Sequence, residues 1–422
     1  LDAMAGTFGV VLFVVTLLGV IGAPLLVLVV APGFVSDGGD FDLAALMLRF
    51  TFPYLFFVSL TAFAGGIFNT YGRFGVPAFT PVLLNVVLIA AAVWAAPLLE
   101  QPIMALAYAV FVAGVLQLLF QLPFLAQIRV LPRPKWWPRH AGVRRAFKLM
   151  IPAIFGSSVA QINVLRSGII ASLLPVGSIS YLYYSDRLME FPLGLFGIAL
   201  ATVTLPYLSR LWANDERREF AQTLEWSMKI AVLIAVPAAV GLVMLAAPLV
   251  TTLFYGGEFN QRSVTMTVLA LQAYALGLVG FSFVKVLAPA FFAREDTRTP
   301  VKIGIIALLA NLVLGGSSAW YLTSNDIAGP HTGLAAATSI AALLNAALLY
   351  RGLHKAEVIS HGPGWGVLLL RVVLANAAMI AVLMTLHRSV AWWIDAALTD
   401  RVAWLALSVI AGAGVYFIVL VS

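Results

Sequence analysis

Cysteine is absent from this 422-residue chain. That excludes disulfides, thiolate metal sites and thiol nucleophiles, and it leaves the compartment open. Charge is scarce: 10% of residues are charged, where soluble domains average about 25%. Acids are the scarcer sign, 18 against 25 basic residues, for a formal net charge of +7. No HExxH, GxSxG, Walker A or strand-borne GxGxxG motif is present, so the sequence points to no enzyme and no ATP-driven step. The five histidines (140, 331, 354, 361 and 387) lie in loops or at the ends of apolar runs, and no metal or cofactor is expected. No loop interleaves basic and aromatic residues over a long span, which argues against nucleic acid as a partner.

What the chain has in abundance is apolar sequence, 62% hydrophobic residues and a mean hydropathy of +1.00. A soluble core of this size cannot hide that much apolar surface. Long continuous runs, rather than short alternating segments, exclude a β-barrel. The expected fold class is all-α: a polytopic helical membrane protein. Twelve spans are expected, at 6–30, 43–68, 78–98, 103–126, 150–174, 178–208, 226–250, 264–292, 301–322, 332–352, 366–387 and 402–421. The chain opens on Leu1, and its first run is too long for a signal-peptide core and has no basic flank before it. It reads as a span of a fragment or processed product.

Charge in the loops predicts orientation. Loops after even-numbered spans carry 17 Lys and Arg, whereas the opposite set carries only Arg262, Arg388 and Arg401. The positive-inside rule places the first set, and both chain ends, in the cytoplasm. The largest basic loop, 129–148, holds seven basic residues and Trp136-Trp137. It reads as positive-inside charge, with an interfacial segment on anionic lipid as the alternative.

An internal repeat is also visible. Ala23-Pro24-Leu25 matches Ala247-Pro248-Leu249, Pro77 matches Pro300 and Asn85 matches Asn311. The spacings of 224, 223 and 226 residues are nearly constant. Six spans separate the copies, so they share an orientation and form parallel repeats. Two lobes around a central cavity are expected, plus two C-terminal helices. The expected domains are 1–128 (four of six helices), a basic linker 129–149, a six-helix lobe 150–353, and two further helices over 366–422. Spans 5 and 6 have no counterpart before span 1, so fourteen helices are expected in full.

Ionisable residues at span depth are expensive and need a cavity or a partner. The densest group is Asp186-Arg187-Leu188-Met189-Glu190 in span 6. Asp186 and Glu190 are four apart and share a helical face, with Arg187 beside them. Arg187 lies roughly 13 Å from the span start at 1.5 Å per residue, where snorkelling is difficult. A guanidinium there suits an anionic group, above all phosphate; an interhelical ion pair is the bland reading. Span 5 adds Ser157, Ser158, Gln161, Asn163, Arg166 and Ser167, which could line a wet wall or bond neighbouring helices. Arg49 and Arg371 sit near span ends and can snorkel. Lys285 is deeper, and either pairs across the bundle or snorkels.

Three ordered motifs carry a resemblance. They are Asn69-x-x-x-Arg73-Phe74-x-x-Pro77-Ala78-Phe79-x-Pro81-x-Leu83-Leu84-Asn85, then Tyr184-x-Asp186-Arg187-Leu188-Met189-Glu190-x-Pro192-x-Gly194, then Asp296-Thr297-Arg298-Thr299-Pro300. Over essentially its whole length the chain resembles the MurJ/MviN family of lipid II flippases, within the multidrug/oligosaccharidyl-lipid/polysaccharide exporter superfamily. The resemblance implies two six-helix lobes plus two C-terminal helices that form a groove for a polyprenyl tail. It implies that undecaprenyl-pyrophosphate-linked peptidoglycan precursor moves from the inner to the outer leaflet of a bacterial inner membrane by alternating access. It matches the family's essential cavity arginine to Arg187. The family's other cavity arginines lie in two first helices that have no counterpart here, and Ser167 stands where the family often has an acid.

The expected substrate-binding set is Arg187, Asp186, Glu190, Arg166, Gln161, Asn163 and Ser180. The expected gating and loop motifs are Asn69, Arg73, Pro77 and Asn85, with Asp296, Arg298 and Pro300. The implied partners are a lipid-linked pyrophosphate substrate and membrane lipids, with room for other cell-wall synthesis proteins. The alternatives are a drug or cation antiporter, or another lipid-linked oligosaccharide flippase, of the same superfamily. Deep charges are three basic (Arg166, Arg187, Lys285) against two acidic (Asp186, Glu190), which favours anionic cargo. A membrane-embedded glycosyl- or acyltransferase would need longer loops.

Overall fold

The computed structural model describes residues 1–35, 40–194, 199–359 and 364–422. The side chains of residues 40, 149, 152–153, 155–160, 162–164, 166 and 199–203 lie outside that description. Among the described residues the chain is helical, and ten helical stretches are long and apolar enough to cross a membrane. They correspond to ten of the expected spans. The other two, 150–174 and 178–208, fall on helices that include residues outside the description. The chain divides into two compact units, Leu1–Ile169 and Ile170–Ser422.

In the first unit, α1 (Asp2–Ile21) and α2 (Ala23–Val30) share one apolar run. The run breaks at Gly22, and Pro24 falls in the first turn of α2, where its missing N–H costs nothing. α3 (Asp40–Thr51) and α4 (Tyr54–Thr70) likewise form one run broken at Pro53. α5 (Gly75–Ala90) continues to Leu98 through a π turn and a 3-10 turn, and α6 (Met104–Gln127) packs on α3, α4 and α5. Buried amides tie these helices together. Gln117 Nε2 donates to the Thr80 carbonyl at 3.2 Å, and Tyr54 donates to Gln117 Oε1 at 3.1 Å. Gln121 Nε2 donates to Thr80 Oγ1 at 2.9 Å.

The basic loop that follows is pinned to the start of α1. Arg133 N donates to Asp2 Oδ1 at 2.9 Å, Lys135 N to the Asp2 carbonyl at 3.0 Å, and Trp137 N to Thr7 Oγ1 at 3.3 Å. Trp136 and Trp137 remain exposed. The long α7 (Ala141–Ser172) then runs across the division between the units.

The second unit holds α8 (Ser178–Pro192), α9 (Ala199–Ala213), α10 (Arg217–Met244), α11 (Ala246–Phe254), α12 (Gln261–Ala275), α13 (Leu278–Ala293), α14 (Arg298–Ser324) and α15 (His331–Lys355). Its core is filled by Leu, Phe and Met side chains, and small residues let particular helices approach closely, the usual device where lipid removes any hydrophobic drive between helices. A Cβ added at Gly280 of α13 would lie 2.6 Å from the Leu343 backbone nitrogen of α15. Ser339 of α15 donates to the Ala273 carbonyl at 2.7 Å.

Helix ends repeat with the spacing seen in sequence. α1 and α2 break at Gly22, as α10 and α11 break at Leu245. α4 ends with Gly72 in the left-handed region (φ 69°) and Arg73 N bonded to the Phe68 carbonyl at 2.9 Å. α13 ends with Glu295 left-handed (φ 61°) and Asp296 N bonded to the Phe291 carbonyl at 3.0 Å. α6 and α15 close in the same way, through left-handed Arg129 (φ 56°) and Glu357 (φ 55°). This is the Schellman closure, in which a left-handed residue lets the next N–H satisfy an orphaned carbonyl.

α16 (Trp365–Thr385), a short α17 (Val390–Asp395) and α18 (Leu398–Val421) complete the second unit. α16 and α18 pack on each other and against α10 and α11. Arg401 of α18 donates to the carbonyls at the end of α17, Ala396 at 2.9 Å and Ile394 at 2.5 Å. Its guanidinium also lies 5.2 Å from the Tyr255 ring, so one side chain fastens α17 and α18 to the end of α11.

Candidate functional site

α8 presents two contrasting faces. Ser178, Leu182, Ser185 and Met189 are buried and recur every three or four residues, as one helical stripe requires. Ser185 secures that stripe. Its hydroxyl lies 2.7 Å from the Tyr181 carbonyl and 2.8 Å from the Thr267 carbonyl of α12. Tyr184 packs on Phe254 and Phe259 at ring separations of 4.6 and 5.4 Å. The helix is therefore locked in rotation.

The locked rotation turns Tyr183, Arg187 and Glu190 outward. Arg187 Nη1 donates to Glu190 Oε2 at 2.7 Å, and the two side chains are 57% and 51% exposed. The guanidinium also lies 5.1 Å from the Tyr183 ring centre. Arg187 is thus not packed in a seam: it is held from both sides on an open face. Its ion-pair partner is Glu190, one turn on, rather than Asp186. Asp186 is half-buried at the edge of the same stripe.

Of the other expected site residues, Ser180 and Gln161 are exposed. The side chains of Ser157, Ser158, Asn163 and Arg166 lie outside the described residues. Lys285 is exposed, and no ion pair among the described residues includes it. Arg49 and Arg371 are exposed as well.

The loop motifs are brought to helix ends. Asn69, Arg73 and Asn85 are exposed, and Pro77 lies in the first turn of α5. Asn85 and Asn311 share a place in the repeat but not an environment, because Asn311 is buried and contacts Thr338. Asp296 Oδ1 accepts from Thr299 N at 3.0 Å at the start of α14, while Arg298 is exposed and Pro300 follows in the first turn. Hydrogen bonds from Thr299 hold the Asp296 carboxyl below its ordinary value of 3.8. Beside it, burial chiefly lowers the affinity of Arg294 for its proton, with the nearby Arg217 charge adding to the effect. Both guanidiniums face the Trp212 ring, at 5.0 and 3.3 Å.

Two sets of residues were not visible in the sequence as site candidates. The buried amides Gln117 and Gln121 had a signal, two amides four apart inside an apolar helix. Arg262 and Asp326, which line one cavity, had none, because only tertiary folding brings them together.

A many-span helical chain whose charged side chains on α8 lie open fits the class of membrane transporters. Residues 1–403 match the family model described as lipid II flippase MurJ. The chain is 45% identical over 420 residues to a probable lipid II flippase MurJ of Vibrio cholerae, covering 97% of this chain and 78% of that protein. It is 44% identical to the Haemophilus influenzae counterpart (98% and 82% covered) and 41% identical to the lipid II flippase MurJ of Burkholderia cenocepacia (99% and 80%). Among solved structures, a MurJ in an inward closed conformation superposes with a TM-score of 0.78 at 23% identity, covering 100% of this chain and 84% of that one. An inward-facing multidrug MATE transporter gives 0.67 at 18% identity (85% and 81%). The chain belongs to the MurJ lipid II flippase family, and so to transporters rather than enzymes.

Proposed function

We propose that this chain carries lipid II across the bacterial cytoplasmic membrane, from the inner to the outer leaflet, by alternating access between two lobes. The lobes are residues 1–128 and 150–353, joined by the basic linker 129–149, with 366–422 as the added helices. Family membership supports the cargo. The observation that carries the mechanism is the open Arg187 on a helix locked in rotation. A guanidinium on the open face of that helix offers the planar fork that phosphate oxygens match.

Glu190 and Tyr183 keep that guanidinium extended while no anion is bound. A pyrophosphate arriving on Arg187 displaces Glu190 rather than a packed side chain, so the exchange needs no unfolding. Asp186, Ser180, Gln161, Asn163 and Arg166 complete the binding surface, and the loop motifs at Asn69–Asn85 and Asp296–Pro300 act as hinges at helix ends. The 17 basic residues in alternate loops support cytoplasmic loops and cytoplasmic chain ends. A potential that is negative inside favours outward movement of an anion by roughly 2.3 kcal/mol per charge per 100 mV.

The test is depletion of the protein in its native bacterium, followed by measurement of which precursor accumulates and on which leaflet. Lipid II accumulating on the inner leaflet is expected. Unchanged lipid II distribution, with altered export of cationic drugs, would instead indicate an antiporter.

A further inference from the structure

At the end of the second unit opposite its basic loops lies a cavity of about 220 Å³. The turn before α8, the first turn of α8, the start of α12 and the α14–α15 turn all line it. That volume is below the roughly 300–1,000 Å³ of sites for drug-sized ligands. It suits a guest of amino-acid or dipeptide size.

Arg262 and Asp326 line this cavity. Both are exposed, and among the described residues neither side chain is in an ion pair. Opposite charges that share a hollow without closing on each other suit a guest that carries both. The backbone beneath each is well placed. Asp326 is left-handed (φ 52°), with its N–H on the Thr323 carbonyl at 3.2 Å. Arg262 stands in the first turn of α12, whose N-cap Asn260 accepts from Ser263 N at 3.1 Å. The wall includes His331, 1% exposed, whose Nε2 lies 3.0 Å from the Met266 carbonyl. The Tyr181 ring packs on it at 5.3 Å.

We propose that this cavity binds a small zwitterion of the amino-acid class, its carboxylate on Arg262 and its ammonium on Asp326. The guanidinium fork matches a carboxylate, and Tyr181 and Ile327 meet the aliphatic part. Two sources share this chemistry: a free amino acid or short peptide, and the peptide portion of a lipid-linked head group presented at this end of the protein. Only the second source rests on the flippase reading.

The experiment uses the full chain in detergent micelles, with thermal unfolding and calorimetry. The probes are alanine, alanyl-alanine, N-acetylalanine, which lacks the ammonium, and alaninamide, which lacks the carboxylate. Alanine or alanyl-alanine should raise Tm saturably, and each blocked form should bind at least tenfold more weakly. Arg262→Gln and Asp326→Asn should each remove the shift, while Arg262→Lys should keep a weakened one. Arg187→Ala should leave zwitterion binding unchanged, which separates this site from the flippase site. If a peptide-bearing lipid head competes with alanine and its peptide-free pyrophosphate analogue does not, the guest is the cargo. If neither competes, the guest is a free amino acid or peptide. Blocked forms that bind as well as alanine, a shift that survives both substitutions, or no zwitterion bound with a Kd tighter than about 10 mM, would overturn the assignment.

Discussion

The Tyr416 hydroxyl of α18 donates to the Leu233 carbonyl of α10 at 2.8 Å, and Pro237 explains why that carbonyl is open. Position 237 would normally return its N–H to residue 233, and proline has none to give. In a membrane an unmet carbonyl is costly, so the C-terminal helix supplies the missing donor. Tyr416 is 1% exposed, with Met379 and Leu383 of α16 in the same cluster. One hydrogen bond thus joins a proline break in α10 to the docking of the added helices.

Tyr416→Phe should cost about 1–3 kcal/mol, the range for stranding a buried polar group. With Pro237→Ala in place the carbonyl regains its helical donor, and the same substitution should cost markedly less. A double-mutant cycle on thermal or chemical unfolding in micelles reads the coupling. Additive effects would show that the two residues act separately.

Close approach of α13 and α15 makes a second prediction. Gly280→Ala would place a Cβ 2.6 Å from the Leu343 nitrogen and 2.9 Å from the Ala342 oxygen. Backbone cannot swing aside, so the helices must part, at about 1–3 kcal/mol for an overpacked contact. Gly304→Ala is the control, since its added Cβ meets nothing within 4 Å. Helix propensity favours alanine there by up to about 1 kcal/mol. Thermal unfolding of the two variants should move in opposite directions.

Asp296 predicts a pH dependence. Its carboxyl lies below the ordinary 3.8, so the folded state binds its proton less tightly than the unfolded chain. The stability it contributes is therefore present above that value and is lost as pH falls through the folded value. Asp296→Ala should cost about 0.5–1 kcal/mol near neutrality, the lower part of the capping range for a partly exposed group. The difference from the unsubstituted protein should narrow below pH 3.8. Unfolding measured across pH checks both the sign and the window.

Much of the fold is legible in the sequence, because a bilayer demands long apolar runs and internally satisfied backbones. The repeat is legible for the same reason that its helix ends coincide: Gly72 and Glu295 stand in equivalent left-handed turns. Helix breaks are harder to place. Pro24 marks one, but the break itself falls at Gly22, since proline is tolerated in a first turn. At the candidate site, the four-residue spacing places Asp186 and Glu190 on one helical face with Arg187 beside them, but it leaves open which acid pairs with the arginine. Which carboxylate reaches Arg187 depends on how α8 is rotated, and that is set by Ser185 against α12. Arg262 and Asp326 carry no pattern at all, because one stands at the start of α12 and the other in the α14–α15 turn, and only the tertiary fold sets both beside one cavity.

The most direct measurement is lipid II translocation in membranes holding equal amounts of the unsubstituted protein, Arg187→Ala, Arg187→Lys and Glu190→Gln. Alanine at 187 should abolish translocation in a folded, membrane-inserted protein. Lysine should restore little, since an ammonium cannot offer the two-pronged contact. Glutamine at 190 should still support transport, because it frees the guanidinium without removing it. Translocation at the unsubstituted rate with alanine at 187 would contradict the assignment of this arginine to the cargo's pyrophosphate.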